Sequence, residues 1–351
     1  MFRFKDAEYL KNVPVQTERL CLEIVSNDPD AFEYVREQTD KICLAAVKCS
    51  GLNLQDVKNK TPEICLAAVK NHGYAIKYVE NQTRELCLIA VRKSGGAIGD
   101  IKDQTEELCL EAIKNDCPRA FRGIRNKTPE ICSIAVRRCG LVLEDIEDKT
   151  DELCLEAVKH MGSALEFVEN QTRELCLMAV MNNGNALRFV KEQTDEICLE
   201  AVKNHGTAIR HVKNQTEDIC LTAIRKHVHS FPFVRRHTDS LCLKAVMINP
   251  NALQYVKNKT EEICSVAVEE HSPALRYIEN EECFERLALK TVRRYPEALQ
   301  YIKNQTEEIC IAVAETDPYC LKYIKNEEML KRVNDYISSI RFLKTKSARK
   351  N

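Results

Sequence analysis

The feature that most constrains this chain is a threonine that recurs at a fixed interval along nearly its whole length. The spacing is 22 from Thr17 to Thr260, apart from one step of 23 that ends at Thr128. The repeat before Thr306 lacks the threonine, because Glu281–Arg286 replaces the usual start and adds two residues. A fixed period of this length indicates supersecondary units that stack on one another rather than separate globular domains.

Each repeat has the pattern of a helical hairpin. In the repeat that starts at Thr194, one helical face carries apolar side chains at helical spacing: Ile197, Cys198, Ala201 and Val202. Threonine suits the N-cap of this first helix, whose expected length is about ten residues. Gly206 is interpreted as the residue that ends it, and a second helix of about seven residues is expected to follow. In the next repeat, Leu221 is assigned to the buried stripe.

We therefore predict an all-α fold, an α-solenoid of about fourteen stacked 22-residue helix-turn-helix repeats. The predicted parts are an N-terminal capping half-repeat over residues 1–16, the helical repeat array over 17–326, and a C-terminal capping helix with a basic tail over 327–351. Helices this short are unstable alone in water, so each repeat must bury its apolar face against its neighbours. The basic tail, Arg341–Lys350, is expected to be disordered.

Of the 18 cysteines, thirteen follow a repeat position of threonine by four residues. Equivalent positions in neighbouring repeats lie about 8–10 Å apart, whereas a disulfide requires Cα atoms within about 7 Å. These ladder cysteines are therefore predicted to be free, small, buried side chains, and persistent free thiols indicate a reducing compartment. The sequence leaves open the exposure of the other five, which are Cys49, Cys117, Cys139, Cys283 and Cys320.

Glycosylation sequons also recur, each at the junction between two repeats. They begin at Asn59, Asn81, Asn126, Asn170, Asn214, Asn258 and Asn304. Turn chemistry explains them without a glycan, because asparagine suits a left-handed residue after a helix and threonine suits the next N-cap. Asp103, Asp148 and Glu192 occupy the asparagine position in other repeats, as a turn would allow.

The recurring segments also carry a family resemblance. Gly73–Val79 with Glu85–Val91, and Gly184–Val190 with Glu196–Val202, share the pattern G-x-A-[IL]-x-[YF]-V followed by E-x-C-L-x-A-V. This pattern resembles a family of 22-residue α-helical repeats of giant DNA viruses of the mimivirus type, which is described as a domain of unknown function. The resemblance covers roughly residues 8–330. It implies a viral protein made in the host cytoplasm, with a place in the virion left open, and it carries over no active site.

Composition and motifs argue against several functional classes. Lys and Arg number 52 and Asp and Glu number 53, so no net charge attracts the chain to nucleic acid or anionic membranes. No apolar run is long enough to cross a bilayer, and the N-terminus does not read as a signal peptide. We expect no enzyme activity, cofactor, metal or small-molecule substrate. The histidines, including His205, His227 and His237, are interpreted as polar residues at and near helix ends rather than metal ligands.

One position varies freely within the constant frame, two residues after each ladder cysteine. Ile89, Ile134 and Met178 are its apolar members that we take as candidate partner-binding residues. Three aspartates replace the aromatic residue near the end of the repeat and form a candidate acidic stripe for a basic partner, although they are equally expected of a solvated surface: Asp56, Asp100 and Asp145. The predicted function is a non-catalytic scaffold that binds protein partners along an extended surface.

The alternative function is nucleic-acid binding by the α-solenoid. A basic cluster over Arg119–Arg138 and the basic C-terminal tail would contact phosphates. The candidate residues of the cluster are Arg119, Arg122, Arg125, Arg137 and Arg138. Acidic residues such as Glu156, Glu166 and Glu200 interrupt the basic character along the array, so the expected phosphate contact is local.

Overall fold

A computed structural model describes residues 7–348, and for residues 341–348 it describes the backbone alone. The fold is an all-α repeat solenoid, and residues 7–348 contain α-helices and 3-10 helices without a β-strand. The chain divides into two compact units, Met1–Asn182 and Asn183–Asn351. None of the helices in the described range is long and apolar enough to cross a membrane.

Each repeat begins with a long α-helix, usually of ten residues. The α-helices of the chain are α1 (Ala7–Asn12), α2 (Glu18–Asn27), α3 (Asp40–Cys49), α4 (Pro62–Asn71), α5 (Arg84–Lys93), α6 (Glu106–Asn115), α7 (Cys117–Gly123), α8 (Pro129–Arg138), α9 (Asp151–His160), α10 (Arg173–Asn182), α11 (Asp195–Asn204), α12 (Glu217–Lys226), α13 (Asp239–Ile248), α14 (Glu261–Glu270), α15 (Glu281–Arg294), α16 (Glu307–Thr316) and α17 (Glu327–Ala348).

A short helix follows the long helix after one linking residue. Apart from α7, these short helices are 3-10 helices of six residues: η1 (Pro29–Tyr34), η2 (Gly51–Asp56), η3 (Gly73–Tyr78), η4 (Gly95–Asp100), η5 (Gly140–Asp145), η6 (Gly162–Phe167), η7 (Gly184–Phe189), η8 (Gly206–His211), η9 (Val228–Phe233), η10 (Pro250–Tyr255), η11 (Ser272–Tyr277), η12 (Pro296–Tyr301) and η13 (Pro318–Tyr323).

The number of repeats agrees with the sequence. Fourteen pairs of a long and a short helix follow one another from α2 to η13, with α1 before them and α17 after them in the described range. The expectation of a disordered basic tail is wrong for residues 341–348, because α17 continues through them to Ala348. Their side chains, and residues 349–351, lie outside the described part of the chain.

The second helix of the hairpin differs from the prediction in type. It is a 3-10 helix in every repeat of ordinary length, and it is the α-helix α7 in the repeat from Thr105, which is longer by a single residue. The additional residue in α7 allows an α-helical turn, in which each N–H bonds to the fourth preceding carbonyl. Ile124 N–H accordingly donates to the carbonyl of Ala120 at 3.1 Å. Without it, only the tighter bonding to the third preceding carbonyl forms, as between Val212 N and Ile209 O at 3.1 Å.

The repeat threonines cap the long helices as predicted. The Thr172 hydroxyl accepts a hydrogen bond from Leu175 N–H at 3.2 Å, and Thr216 accepts one from Ile219 N–H at 3.5 Å. Pro62 is the first residue of α4, where a missing N–H costs no helical hydrogen bond. The start of each long helix is thus determined by the capping threonine and the residues next to it.

The core consists of four positions of the long helix together with the apolar residues of the short one. In α11, for example, Ala201 and Val202 have no exposed surface, and Ile209 in η8 has none either. The assignment of Leu221 to the buried stripe is wrong, because this leucine is half-buried. It lies on the long helix one residue beyond the buried Cys220, where the helix turns its side toward solvent.

The glycine at the start of seven of the fourteen short helices allows close packing and has no left-handed conformation. A Cβ atom on Gly73 would lie 2.5 Å from the carbonyl oxygen of Ala90 in the next repeat. The glycine N–H also bonds across repeats, as from Gly184 to Asn204 Oδ1 at 2.8 Å. Cys117 takes this position in α7, and its Sγ lies 3.4 Å from Ala135 O. The long helix does end just before this position, as predicted, and the glycine is required there by the close approach of the next repeat.

The left-handed conformation expected for asparagine at the repeat junction is also absent. Throughout residues 7–348, no residue has a positive φ. The short helix ends instead in an extended residue, such as Val57 at φ −71° and ψ 121°, and the chain reaches the next threonine through bends. Because the junction is extended, it does not require the left-handed region that favours asparagine.

Two glycines of the first unit provide a matched test of this packing. Gly73→Ala is expected to lower the free energy of unfolding by about 1–3 kcal/mol, because the new methyl group displaces the next repeat. At Gly99 the nearest atom to an added Cβ is 3.6 Å away, so Gly99→Ala is expected to be neutral or slightly stabilising. Urea unfolding followed by circular dichroism measures both, and equal effects would contradict the packing role.

In most repeats a glutamine before the threonine joins the repeat to the next one. Gln215 Nε2 donates to Ile209 O and Phe233 O, both at 3.0 Å, and its Oε1 accepts from Arg235 N–H at 2.8 Å. Gln104 and Gln305 make the corresponding three bonds. One side chain thus satisfies backbone groups at the end of its own short helix and of the following one.

Substitution of this glutamine is expected to weaken the stack. Gln215→Ala leaves one N–H and two carbonyl groups without their partner, which corresponds to a loss of roughly 2–3 kcal/mol in the free energy of unfolding. Gln300→Ala is the matched control, because exposed Gln300 bonds only locally to Glu297 O. Chemical unfolding of the two variants measures the difference. A Gln215→Ala variant as stable as Gln300→Ala would contradict the stabilising role of this glutamine, which we call the glutamine clamp.

Candidate interaction surfaces

The ladder cysteines are free and buried, as predicted. All 18 thiols of the chain are unpaired, and the thirteen ladder thiols are buried. Burial raises the pKa of the Cys198 and Cys220 thiols to about 11. It raises the pKa of Cys264 to about 12, with a further contribution from the adjacent Cys283 thiol. Such thiols stay protonated at neutral pH, so their nucleophilicity is low.

The five cysteines outside the ladder differ in exposure. Cys117, Cys283 and Cys320 are buried, Cys139 is half-buried and Cys49 is exposed. In the repeat of α15, Cys283 takes the position that glutamine holds in most repeats, whereas Ala288 takes the position of the ladder cysteine. Cys49 is therefore expected to be the most reactive thiol of the chain, because it is the exposed one.

Limited alkylation of the native protein is expected to label Cys49 first. With iodoacetamide at pH 8, Cys49 should react at the rate of a free thiol, Cys139 more slowly, and the ladder thiols only after unfolding. Peptide mass spectrometry over a time course identifies the labelled positions. Fast labelling of Cys198 or Cys220 in the folded protein would contradict their burial.

The histidines occupy the helix ends that the sequence indicates. His72, His205, His227 and His271 each form the C-cap of a long helix. Among the described side chains of residues 7–340, no three of His, Cys, Asp or Glu are grouped so that they could hold a metal ion. His237 takes the glutamine position before Thr238 and stacks on Phe231, with ring centroids 4.6 Å apart.

The candidate apolar residues lie on the outer side of the long helices. Ile89, Ile134 and Met178 are all half-buried. Met178 forms a shallow open depression on α10 together with Leu177 and Met181, and Met181 is 60% exposed. The position that varies in sequence is therefore accessible to a partner.

A second, nearly constant apolar residue lies beside this variable position. The residue after the ladder cysteine is half-buried in most long helices and 40% exposed at Leu155. In the first unit it is leucine in all ladder-bearing helices except α8, where Ser133 replaces it: Leu22, Leu44, Leu66, Leu88, Leu110, Leu155 and Leu177. We call this row the leucine stripe. It is a partly exposed apolar row, and Leu221, which the sequence analysis assigned to the buried stripe, holds the same position in the second unit.

The three candidate aspartates have different surroundings. Asp56 is exposed, whereas Asp100 and Asp145 are half-buried. Asp145 Oδ2 accepts a hydrogen bond from Arg122 Nε at 2.9 Å, which raises the pKa of Arg122. The candidate acidic residue and the candidate basic residue are thus partners of each other.

The other arginines of the basic cluster are exposed but also engaged. Arg137 pairs with Glu156 at 2.9 Å, and Arg119 lies 3.6 Å from Asp116. Arg125 donates to Lys102 O at 3.1 Å and to Ile101 O, and Arg138 donates to Lys114 O at 2.7 Å. The region therefore has alternating charges, and only part of its positive charge remains to attract phosphate.

Two clefts open in the first unit where Lys-Thr-Pro replaces the glutamine sequence. One of about 610 Å³ lies between α4 and α5 beside Lys60, and one of about 640 Å³ lies between α8 and α9 beside Lys127. The second is lined by basic and acidic groups, among them Arg137, Asp148 and Glu152. Mixed charge of this kind does not select one class of small ligand.

Comparison with known proteins supports the repeat assignment and assigns no activity. Residues 40–84, 150–194 and 172–216 match the model of a family described as a domain of unknown function, DUF4116. The second and third matched segments begin one repeat apart, in register with the threonines Thr150 and Thr172. No curated protein sequence matches the chain. Over these segments, which cover less than half of its length, the chain is similar to a repeat domain of unknown function.

Proposed function

We propose that this protein is a non-catalytic scaffold that binds protein partners along the outer surface of its long helices. The observation that carries the proposal is the leucine stripe of the first unit and the variable residues beside it. A half-exposed leucine recurs at one position, while its neighbour changes between Ala45, Ile89, Glu111 and Met178. A partly exposed apolar residue that recurs along consecutive helices supplies apolar surface, which is typical of interaction sites.

The two positions have complementary roles in this proposal. The leucines supply apolar area that a partner covers, and the variable residues decide which partner fits. Because consecutive long helices pack side by side within the unit, each additional repeat extends the surface without changing its frame. Exposed Met181 beside Met178 adds adaptable apolar surface at α10.

The chemistry of the thiols supports a non-catalytic role without a cofactor. The ladder thiols are the most regular reactive groups of the chain, and burial raises the pKa of each of them, as for Cys176 and Cys242. The same unpaired thiols support a reducing compartment, and the family resemblance favours the host cytoplasm of a giant virus.

The nucleic-acid alternative through Arg119–Arg138 has less support. Arg119, Arg122 and Arg137 each pair with a carboxylate, which reduces the charge that phosphate would neutralise. The other half of that hypothesis, the basic tail Arg341–Lys350, has its side chains outside the described residues. It remains an alternative to be separated by nuclease treatment.

Affinity capture from infected host cells tests the scaffold. The tagged chain, with and without nuclease, is expected to retain protein partners, and the double variant Ile134→Lys, Met178→Lys is expected to lose most of them. The matched control is Leu52→Lys, Leu141→Lys, which makes the same change at apolar residues 37% and 42% exposed on the short helices. Equal retention by both double variants, at unchanged circular dichroism, would contradict the assigned surface.

A further inference from the structure

The short helices of the second unit present a surface unlike that of the long helices. From η7 to η13 they pack side by side, each against the next. Six of the seven end in an aromatic residue that is half-buried or exposed: Phe189, Phe233, Tyr255, Tyr277, Tyr301 and Tyr323. The seventh, η8, ends in His211. The second unit therefore carries a row of rings with one ring per repeat, which we call the ring face.

Exposed cations lie on these rings. The guanidinium carbons of Arg188 and Arg210 are 4.3 Å and 4.4 Å from the centroids of Phe189 and Phe233. Arg276 lies 4.7 Å from the centroid of Tyr277 in the same way. A cation held on a ring face is oriented while its charge remains available to an anion.

Carboxylates do not neutralise this row. Within the described residues, Arg188, Arg210 and Arg276 have no ion pair with Asp or Glu. Two cations of the following linkers bond to backbone carbonyls of the preceding repeat, Arg235 to Lys213 O and Lys325 to Ile302 O, both at 2.8 Å. The linker residue Lys259 instead pairs with Glu279 at 2.6 Å. Three arginines of the first unit differ from them, because Arg119, Arg122 and Arg137 pair with acids.

The same asymmetry is present in the composition of the short helices. Those of the second unit contain four basic residues and one acidic residue, whereas those of the first unit, with α7, contain three basic and seven acidic. His211 responds to this charge: burial lowers its pKa, and nearby Arg210 and Arg188 lower it further. Although the chain as a whole is nearly neutral, the ring face of the second unit is positively charged.

We propose that the ring face of the second unit binds single-stranded nucleic acid. The arginines and lysines contact the phosphates, and unpaired bases stack on the rings and on the guanidinium planes. Rings end six of the seven short helices and four of the seven carry an arginine or lysine, so both groups recur along the unit at multiples of the repeat. Phosphate and base also recur along a nucleic acid, whereas a folded protein surface has no such period. A base can stack on a protein ring only when it is not already stacked inside a duplex. The ring face is therefore expected to prefer single strands over duplexes.

Fluorescence anisotropy with a labelled 30-nucleotide oligo-dT and the full chain tests the proposal. Binding is expected at 50 mM NaCl and should weaken steeply with salt. The triple variant Arg188→Gln, Arg210→Gln, Arg276→Gln is expected to bind at least tenfold more weakly. The magnitude of the slope of log K against the logarithm of salt concentration should fall by about 2. Each phosphate contact to a single strand contributes about 0.7 to this slope, and the variant removes three.

A matched triple variant in the first unit locates the site. Arg119→Gln, Arg122→Gln, Arg137→Gln removes the same charge from exposed residues, and it is expected to leave binding unchanged. Phe233→Leu with Tyr277→Leu keeps apolar volume and is expected to weaken binding at an unchanged salt slope. Circular dichroism confirms that each variant is folded.

Three outcomes would overturn the proposal. The first is the absence of oligo-dT binding at 50 mM NaCl. The second is an equal loss of affinity in the two arginine triple variants, which would place the site elsewhere. The third is binding of poly-glutamate of equal length as tightly as oligo-dT and with the same sensitivity to Arg188, Arg210 and Arg276, which would identify a surface for acidic proteins.

Discussion

The close approach of each repeat to the next is the constraint on which the rest of the structure depends. At Gly73 the backbone lies so near the Ala90 carbonyl that a side chain would not fit between them. In the second unit, the side-chain amide of Gln215 bonds to the ends of two successive short helices and so joins one repeat to the next. Because helices of six and ten residues are unstable alone, these contacts, together with the buried apolar residues, provide the stability that local structure lacks.

This manner of packing leaves two different surfaces for function. The junction uses the backbone, the glutamine and the small buried residues, so the outer residues of both helices are free to vary. On the long helices of the first unit this freedom gives a leucine stripe beside variable residues such as Met178. On the short helices of the second unit it gives rings with arginines, such as Arg276 on Tyr277. A single frame thus supports an apolar surface and a cationic one.

Much of the fold could be predicted because its signals are local and repeated. Thr172 and Thr216 cap helices as the pattern indicates, and the number of repeats agrees with the period. The candidate sites were less predictable, because pairing between charges depends on which residues face each other across repeats. Arg122 and Asp145 were assigned to opposite kinds of surface, yet they form one ion pair. The glutamine clamp was missed, although its signal, a glutamine before the threonine, is visible in most repeats.

The sequence by itself determined the all-α class, the repeat length, the caps of the long helices and the free state of the ladder cysteines. Each of these follows from spacing or from the chemistry of one residue and its near neighbours. Only the tertiary structure decided that glycine is required by the neighbouring repeat, that the second helix is 3-10, and that Leu221 is half-buried. It also decided which arginines meet carboxylates and which lie on rings, because the geometry of those contacts exists only once the repeats are stacked.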